Sequence, residues 1–378
     1  MAHSVANLHL RDLARDEAWR AADFFHRHWR NEHIFYRHPE LLHWQYGQNP
    51  LTSQFSTGLT FKAAMAGDDL IGAMGYMPFV FNRFGERQFG CHLSAWWVHP
   101  DHRRGPMGMR LLNELQQRMP FDACVAATMT PISERLFRTL GWTSVPNLGR
   151  WVQVIDREGL FGLLAPEQTR TAAMQLAEGE GKRPIADAAI TVTEVTHLDH
   201  LDGAAWDRFY WQHVAPSHLG PARETSYLRW RYQEIPFYRY HTLLATAGSE
   251  ILGLLIFRAE TVKDRHEIWL RLVDLVTGPE AAASLLAALY ERAKALSAVA
   301  IDFFCSLPLF AAPLGAAGFV DARTPDGTAY WLPFLFQPLD HAHLRLNAAW
   351  WIKGMDLASP EARQFLLTKG DHEYDRPN

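Results

Sequence analysis

Apolar and polar positions along this chain follow two periods, and together they predict a mixed α/β protein. Residues 5–13 alternate as a short strand. Residues 15–30 read as a helix with Trp19, Ala22, Phe24, Phe25 and Trp29 along one stripe. A short helix through Leu41, Leu42, Trp44 and Tyr46 ends at the Asn49-Pro50 stop. Strands follow over 61–66 and 70–81, joined by Gly67-Asp68-Asp69, and a turn over 82–86 leads into a long strand ending at Val98. The pattern then gives a helix over 107–118, a strand over 122–130 and a helix over 132–140 that Pro131 opens and Gly141 stops. Strands near 142–145 and 150–155 close this half. Alanine, glutamate, glycine and threonine dominate 157–188, which reads as a connector, and a strand over 189–195 begins a second unit.

The second unit repeats the first. Trp44-x-Tyr46 with Pro50 returns as Trp230-x-Tyr232 with Pro236, and Pro131 and Gly141 return as Pro308 and Gly318, each glycine followed by an aromatic residue. Asp69-Leu70-Ile71-Gly72 resembles Glu250-Ile251-Leu252-Gly253. Three matches in one order indicate a tandem duplication. The units are predicted as 1–156 and 189–338, with a linker over 157–188 and a tail over 339–378 that is polar at its end.

Bulk chemistry narrows the field. At 378 residues, with 48% hydrophobic and 21% charged positions, the chain is an ordinary globular protein long enough for two cores. Its net charge of −4 leaves no overall footprint for nucleic acid. Cys91, Cys124 and Cys305 stand singly in apolar runs, which argues against a disulfide framework or a bound metal and for a reducing, cytoplasmic setting. Charges at Arg11, Asp12, Arg15, Asp16 and Glu17 interrupt any signal core, and no stretch approaches the roughly 20 apolar residues of a membrane span. In the second unit, Trp206, Tyr210, Trp211 and His213 are candidates either for lining a cleft or for packing a core.

One stretch carries most of the chemistry. Residues 92–98 read as an apolar strand, 99–108 as a loop rich in basic residues and glycine, and Met107 onward as an amphipathic helix. A loop of this kind at a helix N-terminus offers free amides, a favourable dipole and guanidinium groups (Arg103, Arg104) to a phosphate. The order Val98-x-Pro100-x-x-Arg103-x-x-Pro106-x-Gly108, followed by Leu111-Leu112, resembles the acetyl-CoA loop of GNAT-type N-acetyltransferases. The likeness extends over about 5–156 and more faintly over 189–338. It implies two tandem GNAT-like domains, each a mixed, mostly antiparallel sheet flanked by helices.

The resemblance also implies site roles. Amides around Arg104, Gly105, Met107, Gly108 and Met109 would hold a pyrophosphate, with Arg103 at the family's Arg/Gln position. The backbone of Trp96, Trp97 and Val98 would pair with the pantetheine arm, and the Val98 amide would stabilise the oxyanion. Thr130 takes the place of a common Asn. Pro106 replaces a loop glycine and removes one N–H donor. Phe137 stands where the family often places its acidic tyrosine. His92, six residues before Val98, sits where some members carry a catalytic carboxylate, and an imidazole there suits a general base. The corresponding second-unit segment, 277–284, has no arginine and carries Glu280 at a helix start, so one acetyl-CoA site per chain is expected.

The implied function is acetyl transfer to a small-molecule amine, such as an amino sugar; the tail is similar to those of tandem GNAT-like proteins of bacterial surface-polysaccharide synthesis. A Fem-like aminoacyl transferase and a non-catalytic acyl-CoA-binding scaffold are the alternatives.

Overall fold

The computed structural model describes residues 8–164, 166–176, 179, 181–262, 264–324, 327–332, 346–371, 373 and 375. Parts of four sequence readings therefore lie outside it: 5–7 of the first strand, Ala165, 177–178 and Glu180 of the connector, Lys263, 325–326 and 333–338 of the second unit, and 339–345, His372, Tyr374 and 376–378 of the tail.

The first half supplies strands β1 (Leu8–Asp12), β2 (Phe61–Ala66), β3 (Asp69–Arg83), β4 (Glu86–Val98), β5 (Ala123–Ala127), β6 (Thr143–Val145) and β7 (Gly149–Val154). The remainder supplies β8 (Thr191–Val195), β9 (Leu219–Pro221), β10 (His241–Ala247), β11 (Glu250–Thr261) and β12 (Ile268–Thr277). It ends with β13 (Ala298–Cys305), β14 (Val320–Asp321) and β15 (Ala348–Ile352). They form two mixed sheets flanked by helices. One runs β1-β2-β3-β4-β5-β15-β6, with β9 added against β3; the other runs β14-β7-β13-β12-β11-β10-β8. Each sheet has one interior parallel contact, β4 with β5 and β12 with β13.

Laid side by side, the two orders correspond strand for strand, and one strand in each has changed places. β7, read from the sequence as closing the first unit, pairs with β13 and β14 in the second sheet. β15, in the stretch read as a tail, sits between β5 and β6 in the first. The periodicity of a strand records which faces are buried and not which sheet it joins, so a crossing of this kind leaves no trace in the pattern.

The repeated tryptophans pack against each other. The Trp44 and Trp230 rings stack at 4.8 Å and 15°. Trp44 Nε1 donates to the Trp230 carbonyl at 3.0 Å, and Trp230 Nε1 donates to the Trp44 carbonyl at 3.2 Å. Each buried indole N–H thus finds its acceptor in the other repeat. The cores lie between sheet and helix: Leu111, Leu112 and Leu115 against β3, β4 and β5, and Leu285, Leu286 and Leu289 against β11, β12 and β13. Among the described residues no helix is long and apolar enough to cross a membrane.

A fragment of residues 1–188 contains β5 and β6 but not the strand between them. We expect it to lack a cooperative thermal transition, and co-expression with 189–378 to restore one. A cooperative transition in the isolated fragment, followed by circular dichroism, would contradict the exchange.

Candidate functional site

β4 changes direction before the loop. Ser94 lies opposite Gly75 and Trp97 opposite Ala73, so β4 carries one extra residue between them. Ala95 absorbs it with φ +46°, a left-handed conformation unusual for a residue with a Cβ. The bulge also resets the faces. Ser94 bonds to Tyr46 and Trp97 stacks on Trp29 on one face, whereas Trp96 packs against Phe137 on the other.

Pairing between β4 and β5 stops at Leu93 opposite Ala126. Beyond that point the two parallel strands part, and β4 has no strand partner on that side among the described residues. His99 N–H donates to the Ile71 carbonyl at 2.8 Å. By antiparallel alternation the preceding residue, Val98, turns its amide and carbonyl away from β3 and toward the gap. The Val98 carbonyl accepts from Arg103 Nε at 2.9 Å, and the Arg103 guanidinium lies 4.2 Å over the Trp97 ring. Arg103 therefore folds back over the mouth of the gap and must swing away before anything pairs with Val98.

The loop contains a short helical turn, Pro100–His102, and the Met107–Asn113 helix begins just after Pro106. The Gly105 amide bonds within the loop to the His102 carbonyl, while Arg110 makes the first bond of the helix, to Pro106. Met107, Gly108 and Met109 precede that bond, so their amides have no acceptor inside the helix. Arg104 is exposed. Trp96 leans over this turn, its ring within van der Waals reach of a Cβ added at Gly108. Thr130 is spent as an N-cap, accepting from the Ser133 amide. Phe137 is buried between Trp96 and Trp142 and brings no hydroxyl.

His92 lies apart from the loop. It is 3% exposed, on the opposite side of the bulge, and borders a cavity of about 10 Å³ with Trp44, Gln45, Met77 and Arg231, room for about one water. Its Nε2 is 4.0 Å from Asp371 Oδ1. Asp371 was missed in the sequence, although acids at every second position (371, 373, 375) were a usable signal. The structure buries that segment completely at Thr368, Lys369 and Asp371.

Asp371 belongs to a buried ionic chain. Arg223 donates to Asp371 Oδ2 at 2.7 Å and to Asp274 Oδ2, which also accepts from Tyr232 Oη at 2.8 Å. Burial pushes the Asp371 carboxyl up, and the Arg223 charge pulls against it. Below lies the Lys369–Asp302–Arg150 cluster. There burial lowers the Lys369 ammonium to about 8, while the flanking cations overcome burial and hold Asp302 at about 2.

The second sheet shows the same bulge and parting, used differently. An extra residue, Val273, sits between Leu272 and Asp274, and β12–β13 pairing stops at Arg271 opposite Asp302. The C-terminal segment enters this gap: Gly370 N–H donates to the Val273 carbonyl at 3.0 Å, and Thr368 bridges to Cys305. A Cβ on Gly370 would overlap Tyr232 Oη. At the end of β12, the Glu280 carboxylate folds back against Gly278 at the helix start.

Solved structures share this architecture. Over 91% of this chain and 72% of its own, a GCN5-related N-acetyltransferase from Anabaena variabilis superposes with a TM-score of 0.55 at 12% identity. The chain has the GNAT fold. A probable N-acyltransferase from Enterococcus faecalis V583 gives a TM-score of 0.52 at 14% identity over 78% of this chain, which spans 64% of that protein. N-myristoyltransferase from Saccharomyces cerevisiae, solved with myristoyl-CoA bound, gives 0.52 at 9% identity over 92% of this chain and 80% of its own. No protein-family model and no curated protein sequence matches the chain. Within the GNAT fold, the Ala95 bulge and the parting of β4 from β5 are produced by local register, and the loop follows directly from them.

Two outcomes test the packing around the site. Gly370→Ala should lower stability by about 1–3 kcal/mol in denaturant unfolding, since the methyl group has nowhere to go. Burial, aided by Arg223, lowers His218 to about 4. The unfolded chain then binds the extra proton between about 6.5 and 4, so stability falls as pH drops through that window, by up to about 3 kcal/mol. His218→Gln should flatten that part of the stability profile; an unchanged slope would contradict a neutral buried imidazole.

Proposed function

We propose that this chain is an acyl-CoA-dependent N-acyltransferase with one acetyl-CoA site, in the first unit. The observation that carries this is the gap beyond Leu93, with the Val98 amide turned into it and the free amides of Met107, Gly108 and Met109 at its mouth. Acyl-CoA would lie with its pantetheine arm along Trp96, Trp97 and Val98 and its pyrophosphate on those amides, with Arg104 beside them. Arg103 would move from the Val98 carbonyl toward the phosphates.

In the reaction, a neutral amine attacks the thioester carbonyl. The C–N bond forms, the carbonyl oxygen takes up negative charge beside the Val98 amide, and the C–S bond then breaks to release CoA thiolate. His92 takes the ammonium proton through water, and the nearby Asp371 carboxylate favours the resulting imidazolium. Phe137 supplies no acid, so the thiolate leaves unprotonated. The acceptor we propose is a small-molecule amine, with an amino sugar of surface-polysaccharide synthesis as the class to test first.

Calorimetry should show one acetyl-CoA bound per chain. Gly108→Asp, which sets a carboxylate where the pyrophosphate would lie, should weaken binding at least about tenfold without shifting the unfolding midpoint. His92→Gln should retain binding and lose about 100-fold in CoA release over a panel of amino sugars. A stoichiometry of two, or full turnover in His92→Gln, would overturn the assignment.

A further inference from the structure

The gap beside Val98 exists because β5 does not continue alongside β4. Counting on from Leu93 opposite Ala126, and allowing for the extra residue at Ala95, a regular parallel pair would set Val98 opposite Thr130. The Val98 amide would then reach the Met129 carbonyl, since each N–H of a parallel pair meets the residue before its opposite number. Alternation along β5 leads to the same place. The Thr128 amide bonds to the Asn347 carbonyl at 3.1 Å, on the β15 side, so a straight strand would turn Met129 toward β4. Instead Thr128 takes φ +50°, a left-handed conformation that is an outlier for a β-branched residue.

The turned backbone is held by Asn347, from the segment just ahead of β15. Asn347 Oδ1 accepts from the Met129 amide at 2.7 Å, and Nδ2 donates to the Met129 carbonyl at 3.0 Å. Nδ2 also donates to Glu134 Oε2 at 3.3 Å, in the first turn of the Pro131–Thr139 helix. Asn347 is 2% exposed, and water does not compete for these bonds. One side chain thus takes both groups through which Met129 could pair with β4, and an acceptor and two donors in one plane are what a primary amide offers. The second unit needs no such wedge. There the C-terminal segment fills the gap, and Ser306, the residue after β13, donates its amide to the Leu367 carbonyl at 2.9 Å.

We propose that Asn347 is a positioning residue of the acyl-CoA site: by capping Met129 it keeps β5 off β4 and leaves the Val98 amide to the ligand. The role toward ligand rests on the acyl-CoA reading, whereas the wedge itself does not. Calorimetry on the full-length protein with two probes separates the ends of the ligand. Acetyl-CoA sends its pantetheine arm into the gap; adenosine 3′,5′-bisphosphate carries only the nucleotide end, which stays outside. Asn347→Ala should weaken acetyl-CoA at least about tenfold and leave the bisphosphate within about twofold. Hydrogen exchange at the Val98 amide, followed by NMR, needs no ligand. Asn347→Ala should slow it about tenfold as that amide gains the Met129 carbonyl, whereas mere loosening of the fold would speed it. Asn347→Asp keeps an acceptor for the Met129 amide and loses the donor to its carbonyl, so it should move both readouts the same way by a smaller factor. Wild-type acetyl-CoA affinity in Asn347→Ala, equal loss of the two probes, or faster exchange at Val98 would overturn the proposal. A wild-type chain that binds neither probe would remove the acyl-CoA reading, and the exchange rate would still decide the wedge.

Discussion

Everything in this molecule depends on two strands being in each other's sheet. With β7 and β15 exchanged, neither sheet is complete on its own segment of chain, and neither core can close without the other. The Trp44–Trp230 pair is a second link between the two units. Two indole N–H groups and two carbonyls, all buried, satisfy one another between the units. Substituting one ring removes a stacking partner and leaves the other tryptophan's carbonyl without its donor, so the repeats are coupled beyond the area they bury.

The exchange also brings the segment after β15 inside. After β15, residues 365–371 pass through the gap in the second sheet and deliver Lys369 and Asp371 to a region already holding Arg150, Arg223, Asp274 and Asp302. Removing such charges from water costs several kcal/mol per ion, and opposite charges offset that cost only when each is also hydrogen-bonded. Here Asp274 has Tyr232 and Thr368 as additional donors, and Asp371 has the Thr368 amide. The same segment that satisfies these groups sets a carboxylate near His92. Polar packing of the second unit and the surroundings of a residue in the first are thus one structure.

What could be read from the sequence was what local spacing determines. The strand, loop and helix over 92–112 fell where the pattern placed them, and the Trp-x-Tyr repeat pointed to a duplication because its spacing survives in each copy. The Ala95 bulge could not be read, since alanine carries no preference for φ > 0 and the extra residue appears only in the register with β3. Arg103 turning back onto Val98 and Trp97 is likewise a tertiary choice between solvent and an aromatic face. The assignments of β7 and β15 needed partners far away in sequence. The polar character of 369–375 suggested exposure, but alternating charge is also what a buried ionic chain requires. Of the four second-unit aromatic and histidine candidates, Trp206 and Tyr210 are core, Trp211 bonds Glu224 at the margin, and His213 is exposed.

The position of β15 has a consequence for how the protein is made. Synthesis runs from the N-terminus, so β5 and β6 leave the ribosome with the space between them vacant until the whole second unit has followed. Throughout that interval the first sheet presents two unpaired strand edges, and the strand that fills them is translated only after the second unit. β7 waits in the opposite sense, ready early for a sheet that does not yet exist. The nascent chain is therefore exposed to pairing with other copies of itself while the second unit is being made, and its yield should respond to translation speed and to chaperones that hold open edges more than the finished fold would suggest.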